Sequence, residues 1–148
     1  MKKTRGFTMV EILVALTVFS VFSFCFFGGI VDIVAYYRLK TEIQKIYAIF
    51  FRARQEAIFR QENCFVKFNI KKQKLIFATK QKVLAVHSLA EGVKLKKENL
   101  KFGGSKEVVF KPLGTAKSGR LTLENKQGQK YALIVYGVTG RIRYQREG

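Results

Sequence analysis

The stretch RGFTMVEILVALTVF, residues 5–19, sets the reading of the chain. A basic residue is followed by glycine, an aromatic residue and threonine, and then by an apolar run that carries one carboxylate, Glu11. From Ile12 to Val31 the run has no charge at all. As a helix that length crosses a hydrocarbon core of about 30 Å. Lys2, Lys3 and Arg5 precede it and predict a cytoplasmic N-terminus. Gly28-Gly29 is followed by Ile-Val-Asp, not by a small-residue cleavage pattern, so a removable secretory signal is not expected. A carboxylate inside a bilayer costs about 2.5 to 3.5 kcal/mol on insertion scales. Glu11 therefore either reaches back to the head groups or meets a partner.

Outward from this run the chain changes character. Its 148 residues leave room for one modest domain beside an anchor. Lys+Arg number 28 against 10 Asp+Glu, a formal charge of +18. That balance suits nucleic acid, anionic head groups or an acidic polymer, and equally a strongly solvated surface. Residues 38–62, RLKTEIQKIYAIFFRARQEAIFRQE, contain no glycine or proline. Ile43, Ile46, Tyr47, Phe50, Ala57 and Ile58 fall on one helical face, with Arg38, Lys45, Arg52 and Arg60 on the others. One helix from Thr8 to Glu62 would run about 80 Å at 1.5 Å per residue. Gly28-Gly29 would be its soft point or a place of close helix packing.

After Asn63 the period becomes two. CFVKFNI (64–70) and KLIFAT (74–79) read as a hairpin, KVLAVHSL (82–89) continues the sheet, and GVKLKK (92–97) is a weaker strand. EVVF (107–110), RLTLE (120–124), KYALIVYG (130–137) and GRIRYQR (140–146) complete the set. One helix followed only by strands gives an α+β domain, a helix packed on an antiparallel sheet.

The junction GFTMVEIL (6–13) resembles the type IV prepilin signal of pilins and pseudopilins. The resemblance implies cleavage between Gly6 and Phe7 by a prepilin peptidase and methylation of the new Phe7 amine. It also implies that Glu11 assists assembly by facing the Phe7 amine of a neighbouring subunit, a register role of the kind known for buried polar groups. The organisation that follows is a leader at 1–6, a transmembrane and assembly half of the helix at 7–37, an amphipathic half at 38–62, and a β-rich pilin domain at 63–148.

A second likeness lies in FKPLG (110–114), GRLTL from Gly119 and YALIVYGVTGRIR from Tyr131. These resemble the globular domain of GspH/FimT-type minor pilins. Chain size, RQEAIFRQ and the terminal GRIR are similar to ComGD-like minor pilins of competence pili. In FimT-like minor pilins a GRxR motif at this place contributes to DNA binding, and Gly140, Arg141 and Arg143 match it. Arg141 and Arg143 share one strand face, and Arg146 follows. Arginine forks suit phosphate, but they would equally protect a sheet edge from unwanted pairing.

No enzymatic constellation is expected. His87 is the single histidine, the carboxylates are scattered, and there is neither CxxC nor phosphate loop. A helix would hold Cys25 and Cys64 about 58 Å apart, so both read as free thiols. The expectation is therefore a non-enzymatic minor pilin of a competence-type type IV pilus, without cofactor or metal. Its partners would be the major pilin, other minor pilins, the prepilin peptidase and, in one reading, DNA. It would sit in the cell membrane as a single span with its domain outside the cytoplasm, and in a surface pilus after assembly. The alternative is a structural pseudopilin of a type II secretion system with no DNA contact.

Overall fold

The helical spacing of the apolar residues and the absence of proline before residue 112 fit one α-helix, α1 (Met9–Arg60), with nine strands after it among the described residues. The computed structural model describes residues 8–147, without the side chains of residues 25–30. Two units result, Met1–Val34 and Ala35–Gly148.

In the first unit Thr8 caps α1: its hydroxyl accepts from the Glu11 amide at 3.3 Å. The large apolar side chains are exposed, Phe19 at 73% and Phe24 at 86%. Thr17, Ser20 and Ser23 donate their hydroxyls back to helix carbonyls, so the polar atoms on this apolar surface are satisfied locally. The expectation of a transmembrane first half is not supported by the described residues: among them no helix is long and apolar enough to cross a membrane. Gly28 and Gly29 lie within α1, but Cys25 and the packing around the glycine pair fall outside the described side chains.

In the second unit the strands are β1 (Cys64–Asn69), β2 (Lys74–Thr79), β3 (Val83–Ser88), β4 (Val93–Lys94), β5 (Leu100–Lys101), β6 (Glu107–Phe110), β7 (Gly119–Asn125), β8 (Lys130–Tyr136) and β9 (Arg141–Glu147). They form two antiparallel sheets where the sequence suggested one. The first has the order β3-β2-β1-β6, and the second β4-β7-β8-β9 with β5 also on β7. The weak strand at 92–97 shrinks to two residues, and a 3-10 turn (Lys97–Asn99) leads into β5.

The buried stripe of α1 supplies Leu39, Ile43, Ile46, Phe50, Ala53 and Ala57 to the core. Phe50 meets Phe68 and Phe110, with ring centroids 6.2 and 6.0 Å apart, and Phe68 stacks on Phe102 at 6.0 Å. The second sheet adds Leu121, Leu123, Leu133 and Val135 to the same cluster. The helix stripe thus covers the inner faces of both sheets, and burial of this apolar surface is the main stabilising term.

Candidate functional site

The residues singled out in the sequence fall into separate places. Gly6 and Phe7 lie outside the described residues. Glu11 sits in the first turn of α1, where a carboxylate complements the helix dipole. Ile12, Ala15, Leu16 and Phe19 form an apolar surface beside it. Glu11 is exposed and has no cation partner within its own chain among the described residues.

The C-terminal arginines divide. β9 is an edge strand whose residues pair Arg141 with Tyr136, Arg143 with Ile134 and Arg146 with Tyr131. Tyr131 is buried and Ile134 is not, so alternation puts Arg141 and Arg143 on the outer face and Arg146 on the inner one. Arg146 stacks its guanidinium over Tyr36 of α1, 5.5 Å from the ring centroid. Beneath it the Tyr36 and Tyr131 hydroxyls share a hydrogen bond of 3.1 Å. Burial and that bond push the Tyr131 phenol up to about 12, so it stays protonated at neutral pH. Arg146, itself exposed, thus packs the strand onto the helix from the face opposite Arg141 and Arg143.

Arg120 shares the outer row with Ile134 and Arg143. It pairs with Glu147 at 3.0 Å, and Lys96 pairs with Glu124 at 2.7 Å. The Lys96 ammonium holds the Glu124 carboxyl below its usual range. Among the described residues Arg141 and Arg143 have no carboxylate partner.

The glycine of GRIR has a structural task. Gly140 turns at φ +59°, and a Cβ there would sit 1.7 Å from the Gly114 carbonyl oxygen. Gly114 itself adopts φ +75°, which favours glycine. Arg54 of α1 donates through Nε to the Gly114 carbonyl and through Nη2 to the Thr139 carbonyl, both at 3.1 Å. FKPLG and TGRIR are therefore parts of one knot, closed on the helix by a guanidinium fork.

Sequence reasoning missed one more pairing. Glu42 on α1 is 1% exposed, and its carboxylate meets His87 Nε2 of β3 at 2.5 Å. The two lie 45 residues apart, and only Glu42's place on the buried helix stripe hinted at a partner. Cys64 is buried and free, and burial pushes its thiol pKa up. Among the described residues no group of three or more His, Cys, Asp or Glu side chains is placed to hold a metal.

With this geometry in hand, residues 1–24 match the prokaryotic N-terminal methylation motif. The fold is similar to that of the minor pseudopilin EpsH from the type 2 secretion system of Vibrio cholerae. One structure of EpsH gives a TM-score of 0.63 at 17% identity, covering 75% of this chain and 98% of that one. A second gives 0.62 at 16% identity, covering 75% and 95%. No curated protein matches the sequence. The chain is thus type IV pilin-like in its N-terminal motif and in its fold.

Proposed function

We propose that the chain is a minor pilin-like subunit, cleaved after Gly6, held at the membrane by residues 12–31 and then assembled with other pilin-like chains. It performs no chemistry of its own. The observation that carries this reading is the first unit of α1: an apolar surface left exposed, with one carboxylate, Glu11, at its capped start. Such a surface is stable only against lipid or neighbouring helices. A neighbour's Phe7 amine would neutralise Glu11 once the helices bundle. Replacing Gly6 by a bulky residue is expected to leave the leader attached, which mass spectrometry of the protein purified from prepilin-peptidase-positive cells would read. An unshortened wild-type chain in those cells would sink the reading.

Within this class the likeness to EpsH supports a structural pseudopilin at least as well as a competence pilin. The DNA-uptake reading rests on one specific observation, Arg141 and Arg143 on the same outer face without acidic partners among the described residues. If it holds, Arg141→Ala/Arg143→Ala weakens DNA binding by the full-length protein and lowers the log–log salt slope by about 2. Lys71→Ala/Lys72→Ala, at the β1–β2 turn, removes the same charge and should leave binding unchanged. Equal losses from both pairs would reveal a bare polycation, and no binding near physiological salt would leave the secretion reading alone.

A further inference from the structure

The two sheets turn unlike surfaces to solvent. The outer positions of the second sheet include exposed Lys130, Arg141, Arg143 and Gln145 and half-exposed Arg120 beside Ile134 and Tyr136, with Thr122 and Ala132 buried between them, a mainly polar outer face as expected of an antiparallel sheet with one wet side. The first sheet departs from that pattern. Its register puts Val109, Phe65, Ala78 and Val83 in one outer row, where Ala78 is itself buried beneath its neighbours, and Lys67, Ile76 and Val86 in the next. Their strand neighbours Val66, Phe77 and Val108 are buried on the other side, which fixes these rows as the outer ones. Val83 and Val86 are 59% and 56% exposed.

Lysines border this apolar face. Lys67 and Lys74 lie towards its hairpin end, and Lys80 and Lys82 stand in the β2–β3 turn at its other end. The acidic side chain on it, Glu107, lies 3.8 Å from Lys67. At the hairpin end a cleft of about 340 Å³ opens, with Phe68, Ile70 and Ile76 among its walls and Lys67, Lys71 and Lys106 around it.

We propose that the outer face of the first sheet docks a partner protein presenting an apolar ridge bordered by carboxylates, one of whose side chains seats in the cleft. This goes beyond the assembly reading, which uses α1. Exposed Val83 and Val86 and half-exposed Phe65, Ile76 and Val109 make this face largely apolar, with the Lys67 ammonium over the Phe65 ring 5.7 Å from its centroid, and apolar faces rimmed by charge mark interaction surfaces. The lysine border selects an acidic rim and disfavours a second copy of a chain with charge +18. The open depression at the hairpin end offers room for a protruding side chain, which a flat bilayer does not supply. Phe65, Ile76 and Val109 also lie half-buried in the sheet and do not project as membrane-inserting residues do.

The test uses the full chain in zwitterionic nanodiscs. The probe is a labelled amphipathic helical peptide with leucines at i, i+3, i+4 and i+7 spacing flanked by glutamates. A companion peptide carries serines in place of the leucines. The leucine peptide is expected to bind, and the serine peptide to bind weaker by about tenfold or more. Val83→Ser/Val86→Ser should weaken the leucine peptide by a similar factor with an unchanged near-UV spectrum, while Arg141→Ala/Arg143→Ala should not. Equal affinity for both peptides, indifference to the valine pair, or no binding at all would overturn the proposal. Valine-dependent binding to phosphatidylglycerol vesicles without peptide binding would overturn it in favour of a membrane.

Discussion

Gly140→Ala is expected to destabilise the domain by about 3 to 5 kcal/mol, combining left-handed backbone strain with overpacking against a carbonyl. The obstacle is backbone, the Gly114 oxygen, so no side chain can rotate away to relieve it. Relief needs β9 or the FKPLG loop to move, and Arg54 ties both to the helix. Arg54→Met keeps much of the aliphatic stem and removes both donors, which costs about 1.5 to 3 kcal/mol for a charged hydrogen-bonding group. Denaturant midpoints of the full-length protein in micelles, read by near-UV circular dichroism, check the order: glycine variant lowest, arginine variant between, wild type highest. A Gly140→Ala protein as stable as wild type would mean that the two loops are not held in contact. The same result bears on the GRxR pattern. Its glycine serves the fold, so loss of DNA binding on replacing Gly140 would say nothing about DNA, and only the arginines test that contact.

His87→Leu should be nearly as damaging, about 3 to 5 kcal/mol, because it leaves the Glu42 carboxylate buried without its partner. Glu42→Leu/His87→Leu should recover most of that loss, since a buried pair replaced on both sides by apolar groups is often neutral or stabilising. The double-mutant cycle gives the coupling directly from the four midpoints. Additive losses would show that the two side chains do not depend on each other. The pairing matters for placement as well as stability. β3 is an edge strand of the first sheet, and His87 ties it to α1 through Glu42. Both valines of the proposed docking face, Val83 and Val86, sit on that strand.

How far the sequence could be read follows from the range of the interactions involved. The helix at 38–62 was legible because Ile43, Ile46, Phe50 and Ala57 recur at its period, and all four are fully buried. The hairpin of β1 and β2 was legible because a polar KKQ turn separates two alternating runs. β5 was not, since two residues carry no period. The division into two sheets was not, since β1 chooses β6 as its second neighbour across the intervening chain. For the candidate site, strand alternation alone places Arg141 with Arg143, and the same rule sends Arg146, an odd number of residues away, to the opposite face. What sequence could not supply was Tyr36 waiting there, from a helix more than a hundred residues earlier. The Glu42–His87 pair escaped for the same reason: Glu42's place on the buried stripe hinted at a partner, but nothing near it in sequence pointed to His87, 45 residues away.

The place of β6 also sets an order of events. Cys64 pairs with Thr79 on one side and with Phe110 on the other. The hairpin can close as soon as its own residues exist, but one flank of β1 keeps its amides and carbonyls unpaired until residues 107–110 arrive. Non-local pairing of this kind slows folding, and an unfilled strand flank invites the wrong neighbour. A nascent chain stalled before Glu107 would therefore carry an adhesive edge that the finished protein lacks.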